Sequence, residues 1–216
     1  MILISSIRKP IWKEILMSAR NLKMAFFSSL ALAAGVTVFG CKTDSSSMQA
    51  PAAPLLMDEA AVTKAVATIG PSKAATTQPT NNDVTGTVKF TLADGKLTFV
   101  ADIDGLAPNT EHGFHIHEKG DLSAPDLKSA GGHFNPTKEK HGGPETEHHH
   151  AGDLGNLKAD DKGHAHLEGT VMHASLSGET SIIGRSVIIH AKPDDLKSDP
   201  SGNSGARIAG GEIKAG

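Results

Sequence analysis

The feature that most narrows the fold is a series of short segments of strand character, separated by glycine turns, along a chain of 216 residues. Lys64–Ile69 reads KAVATI, Thr85–Thr91 reads TGTVKFT with apolar and polar residues alternating, and Lys96–Ile103 reads KLTFVADI. Asp94-Gly95 lies before the third segment. It is a strong hairpin signal, because such turns need positive φ and glycine supplies it. His112–His117 (HGFHIH) alternates again, and Leu154–Ala159, His164–Val171, Ser186–Ala191 and Ala206–Ile213 bring the set to about eight. Further glycine turns fall at Asp104-Gly105, Lys162-Gly163 and Ser177-Gly178. Only the N-terminal leader and Glu59–Val66 read as helical. Many short strands with this punctuation predict an all-β sandwich or barrel. Glu118–Asp153 and Lys192–Gly205 are too long for plain turns, and long loops on a rigid scaffold tend to carry function.

The N-terminus has a different character. Residues 1–40 hold Arg8, Lys9, Lys13, Arg20 and Lys23 against Glu14 alone, and Met24–Gly40 is a run of 17 uncharged residues ending at Cys41. A basic start, a short apolar core and small residues before a cut site describe a secretory signal peptide. The alternatives are a membrane anchor or a buried helix, but the run falls short of the roughly 20 residues a spanning helix needs. Residues 41–60, rich in Ser, Ala, Pro, Met and Thr, read as a flexible tether, and 61–216 as the folded domain. Cys41 is the only cysteine, so neither a disulfide nor a cysteine-rich zinc fold forms within the chain. There is no tyrosine, and the single tryptophan, Trp12, lies in the leader. The leader holds five of the 21 basic residues and one of the 24 acidic ones, which leaves the remainder with a net charge of −7. An acidic surface gives no reason to expect a nucleic-acid partner.

All 12 histidines fall between His112 and His190. Residues i and i+2 of a strand share a face, so His115 and His117 stand side by side while Ile116 packs on the other face. His190 shares a face with Ile188, opposite Val187 and Ile189. A buried histidine there needs a partner, and a metal would serve. His133, His141 and His150 lie in the long loop that Asp153 ends. Three imidazoles and one carboxylate make a closed tetrahedral zinc site, and imidazole also suits copper. Spacing leaves a solvated histidine-rich loop open as the alternative, with His148-His149-His150 a fair example.

Several motifs carry a resemblance, in order and in register. They are Gly113-Phe-His-Ile-His117-Glu, Gly131-Gly-His133-Phe-Asn-Pro136, Lys140-His141-Gly-Gly-Pro144, His150-Ala-Gly-Asp153-Leu-Gly-Asn156, Ile183-Gly-Arg-Ser-Val-Ile-Ile-His190 and Gly202-Asn-Ser-Gly-Ala-Arg207. Over roughly residues 61–216 the chain resembles the copper/zinc superoxide dismutase family. The resemblance implies an eight-stranded antiparallel Greek-key β barrel, with one copper and one zinc ion per subunit. Copper would be held by His115, His117, His133 and His190. Zinc would be held by His133, His141, His150 and Asp153, with His133 as the bridge. Asp194 matches an aspartate that hydrogen-bonds ligands of both metals, and Arg207 matches the arginine that guides the anion. The implied activity converts superoxide to oxygen and hydrogen peroxide by redox cycling of copper beside a structural zinc. His133 would then serve as ligand and proton carrier in turn. Since the mature part is acidic, attraction of the anion falls to a local positive funnel of the metals and Arg207, with Lys192 or Lys197. His148 and His149 are expected in solvent, or as weak extra recruiters of metal. A homodimer is the oligomer considered.

Val38-Phe39-Gly40-Cys41 resembles the lipobox of bacterial lipoproteins. This implies lipid attachment at Cys41 and a domain anchored to a membrane, on the periplasmic or extracellular face of a bacterial envelope. The family's usual disulfide is missing, because its positions hold Leu127 and Gly210. The expectation is that metal binding and packing of Leu127 take over the tethering. The same absence motivates a rival function, a non-enzymatic copper/zinc-binding envelope lipoprotein that kept the ligands and lost efficient turnover.

Overall fold

Strands form where the sequence alternates. In this computed structural model residues 61–74 and 83–216 are described; the signal, Cys41 and the tether, within residues 1–60, lie outside them. The eight strands are β1 (Lys64–Pro71), β2 (Thr85–Ala93), β3 (Lys96–Asp104), β4 (Glu111–His117), β5 (Asp153–Lys158), β6 (Ala165–Thr170), β7 (Ser186–His190) and β8 (Arg207–Ala215). Two readings overlap at Lys64–Val66, the start of the Lys64–Ile69 strand segment and the end of the Glu59–Val66 helix; the strand reading holds, because these residues open β1, and the helical one is corrected. Ala65, Ala67 and Ile69 are buried at period two, and β1 is hydrogen-bonded to β2 on one side and β8 on the other. Pairing on both sides outweighs a local helical preference, which is a weak prior.

All pairings are antiparallel, and the order is β5-β4-β7-β8-β1-β2-β3-β6. Strands β1 to β3 form a meander. The chain then crosses from β3 to β4, which lies between β5 and β7, and crosses again from β6 to β7. These crossings make the Greek key. The end strands β5 and β6 approach each other, so the sheet curls into a nearly closed barrel and its edges are largely protected.

Alternation then decides what faces inward. Phe90, Phe99 and Phe114 pack in succession through the barrel interior, tilted to one another, with ring centroids 6.4 and 6.0 Å apart. Phe114 and Ile116 of β4, with Val187 and Ile189 of β7, join the same core. His115 and His117 therefore face outward from β4. Ile188 also faces out, into a separate small cluster with Leu127 and Ala130. Yet β4 beyond its first residue, and all of β7, are buried on both faces. The two long loops roof the outer side of these strands, and the polar groups of interest lie beneath that roof.

Ile116→Ala removes a fully buried side chain from the barrel side and touches nothing on the histidine side. It is expected to lower unfolding stability by about 2–5 kcal/mol in denaturant titrations while the number of metal ions bound stays the same.

Candidate metal centre

The long loop from Glu118 to Gly152 turns back and is stitched onto β4. Phe134 N–H donates to Ile116 O at 2.8 Å, Ile116 N–H to Gly152 O at 2.9 Å, and Gly152 N–H to Phe134 O at 2.9 Å. This places His133 opposite His117 as an isolated bridge pair. Only glycine fits at 152, since a Cβ there would lie 2.2 Å from the Ile116 carbonyl oxygen.

Two groups of donor atoms result, each with its atoms within 4.8 Å of one another. One joins His115, His117, His133 and His190; the other joins His133, His141, His150 and Asp153; every member is buried. These are the seven residues of the two expected ligand sets, and His133 belongs to both. Asp153 Oδ1 lies 2.8 Å from His133 Nδ1, 3.1 Å from His141 Nδ1 and 3.3 Å from His150 Nδ1. His141 and His150 are poorly aimed for hydrogen bonds, and their Nδ1 atoms are unpartnered.

The outer nitrogens fix the tautomers. His117 Nδ1 donates to Gly131 O at 3.0 Å and His190 Nδ1 to Gly205 O at 3.2 Å. His115 Nε2 and His141 Nε2 donate to the two oxygens of Asp194, at 2.8 and 2.9 Å. A carbonyl or carboxylate oxygen accepts, so in each neutral ring the remaining nitrogen turns a lone pair inward. His115 Nδ1, His133 Nε2, His141 Nδ1 and His150 Nδ1 are buried with no hydrogen-bond partner. His117 Nε2 and His190 Nε2 face each other at 3.3 Å, lone pair against lone pair. Unpaired buried groups are costly, and a cation in each group turns that cost into a bond. The donor types fit zinc and copper.

Asp194, on the second loop, is held by Asn156. Its N–H donates to Asn156 Oδ1 at 2.7 Å, and Asn156 Nδ2 donates back to Asp194 O at 3.0 Å. Asn156 stands in a quoted motif, but its clamping role was not read from sequence. Gly202 is required beneath this carboxylate: its φ is +60°, and a Cβ would overlap Asp194 Oδ1 at 1.7 Å.

Charge divides the two groups. Burial, reinforced by neighbouring histidines and Arg207, pushes His117 and His190 well below the usual histidine range. Burial and nearby His115 bring His133 down to about 4. Burial also opposes charge on His141, yet Asp153 and Asp194 on either side raise it to about 9. Burial would raise both carboxyls, but the imidazoles around them hold Asp153 and Asp194 well below the carboxylate range.

A cavity of about 930 Å³ opens beside the first group, lined by His117, His133, His190, Arg207, Lys128 and Lys192 among others. Lys197 is not among its lining residues. Lys128 was missed in sequence, because nothing local marks a loop lysine as facing a cavity. Arg207 donates to Leu127 O and Gly131 O, each at 2.6 Å, so its guanidinium pins the long loop to β8. Leu127 has left-handed backbone, φ 58°, which costs a non-glycine residue about 1–3 kcal/mol. Its side chain is buried with Ile188 and Ala130, and the space above Gly210 is filled by the side chains of Ile188 and Leu127. Where a disulfide was expected to be missing, apolar packing spans the gap. His148 is exposed, as expected. His149 is a correction: it is 1% exposed, because its Nδ1 hydrogen-bonds the adjacent His150 carbonyl at 2.7 Å and the ring is folded under the loop.

An antiparallel β barrel carrying two buried histidine groups that share one imidazole defines a class, proteins able to hold a pair of metal ions against the barrel wall. A family model described as copper/zinc superoxide dismutase matches residues 84–213. The extracellular Cu-Zn superoxide dismutase of Caenorhabditis elegans is 45% identical over 137 residues, 61% of this chain and 61% of that protein. The Cu-Zn superoxide dismutase of Paramecium bursaria Chlorella virus 1 is 44% identical over 131 residues, 58% of this chain and 70% of that protein. This chain thus spans about three fifths of the nematode protein's length. A solved structure, that of the clock protein EA4, superposes with a TM-score of 0.61 at 39% identity, covering 72% of this chain and 96% of its own. The chain belongs to the copper/zinc superoxide dismutase family, whose cofactors are copper and zinc.

Two outcomes are expected. Zinc added alone to metal-free protein at pH 7 should displace about one proton, the one on His141. Its apparent affinity should rise about tenfold per pH unit and level off near the His141 value of about 9. Calorimetry in buffers of different ionisation enthalpy measures both. Separately, removing the metals should lower the melting temperature clearly, and Leu127→Ala should cost about 2–4 kcal/mol. Identical melting of stripped and loaded protein would contradict the idea that the metals help hold the loop.

Proposed function

We propose that this protein is a superoxide dismutase, exported and lipid-anchored at Cys41, with its domain on the periplasmic or extracellular face of a bacterial envelope. The observation that carries the enzymatic reading is the set of inward lone pairs on His115, His117, His133 and His190 beside a cavity lined by Arg207. These four would hold copper; His133, His141, His150 and Asp153 would hold zinc. Bound copper supplies one-electron redox chemistry, and zinc, without redox chemistry of its own, supplies a fixed charge.

The chain's own residues do the rest. Arg207, Lys128 and Lys192 make the cavity locally positive on an acidic molecule, and field focused in a cleft raises the arrival rate of a small anion. Lys128 is paired with Asp126 at 2.9 Å, both largely exposed, which leaves Arg207 and Lys192 as the main attractors. Arg207, fixed by two carbonyls, also orients the bound anion. His133 belongs to both groups, and its Nε2, buried without a hydrogen-bond partner, is the atom that would hold a proton and give it up in turn. Asp194 holds His115 and His141 in orientation at once. The names of two nematode relatives, from Caenorhabditis elegans and Brugia pahangi, describe extracellular enzymes, which supports export; Cys41 after the apolar run supports lipidation. The rival reading, a metal-binding lipoprotein without turnover, rests on the missing cysteines, and the Leu127 packing weakens that premise.

The full chain loaded with copper and zinc is expected to remove superoxide rapidly, and His115→Ala to fall to near background. Arg207→Ala should slow the reaction about tenfold or more and flatten its salt dependence, with metal content unchanged. Background activity in fully loaded parent protein would sink the enzymatic reading and leave the rival one.

A further inference from the structure

Five buried side-chain nitrogens among the described residues have no hydrogen-bond partner, and all are on histidines. Four belong to the two groups above. The fifth, His149 Nε2, belongs to neither. Because His149 Nδ1 donates to a carbonyl, Nε2 of the neutral ring is a bare lone pair, and leaving such an atom unsatisfied in the interior is rare.

His149 lies against another imidazole, that of His173 in the connection between β6 and β7, with ring centroids 6.0 Å apart and planes at 59°. The rings are tilted, not stacked, and the separation leaves room for two imidazoles to share one ion, since metal–nitrogen bonds of about 2.0–2.1 Å put the centroids about 6 Å apart. His173 is exposed, so an ion can reach the gap. Next to it Met172 is 43% exposed and lines a shallow surface cleft together with His173. Thioether and imidazole together are a soft donor set, which favours monovalent copper.

We propose that His149 and His173, with Met172 beside them, form an outer site for one copper(I) ion, separate from the paired centre. The site ties the loop carrying His150 to the β6–β7 connection. The full chain, first loaded with copper and zinc, is titrated anaerobically with copper(I) against a chromogenic copper(I) chelator. The parent is expected to take up one ion beyond its loaded centre. His173→Ala, a change at an exposed residue, should take up none, with the visible copper(II) absorption of the paired centre unaltered. His148→Ala, at the exposed neighbour, should keep the extra ion. The proposal is overturned by equal uptake in the parent and His173→Ala, by loss of the extra ion in His148→Ala instead, or by a site that takes zinc and refuses copper(I).

Discussion

Everything about the centre follows from where the ring protons are held. Gly131, Gly205 and Asp194 supply acceptors on the far side of four imidazoles. Each proton is drawn outward, so each lone pair is driven inward, and six histidines and one aspartate converge with His133–Asp153 as the contact between them and most inward nitrogens unpartnered. The barrel makes this affordable. Its aliphatic and aromatic interior stabilises the walls independently, so the outer faces of β4 and β7 can carry groups that would not hold together by themselves. The geometry is preorganised for cations and strained without them.

Asp194 makes the two groups one unit. A single carboxylate restrains an imidazole in each, its own backbone is clamped by Asn156, and the turn at Gly202 leaves no room for a side chain beneath it. A shift of the second loop would therefore move ligands of both groups together. Arg207 adds a second coupling, because the residue that faces the cavity also fixes the loop bearing Gly131, whose carbonyl holds His117.

Period-two patterning made the strands legible, and the resemblance in motif order made the ligand groups legible. His115-x-His117 on a strand needs no tertiary information to place two imidazoles on one face. Lys64–Val66 carries both a strand and a helix reading, because Lys64 and Ala65 favour a helix locally, while the pairing that decides for the strand comes from β2 and from β8, the latter more than a hundred positions away. His149 misled for a related reason. Three adjacent histidines look alike in sequence, and only the path of the loop decides that His148 meets solvent while His149 turns under it. Lys128 and Asn156 were silent as well, since their roles depend on what the folded loops bring opposite them.

Leu127 and Ile188 closing over Gly210 set how the domain matures. The contact is made by shape and exclusion of water, and residues 61–216 contain no thiol. The loop can be fastened without an oxidant, a disulfide isomerase or any particular glutathione poise. Metal supply, rather than the redox state of the compartment, then becomes the condition on which the finished fold waits.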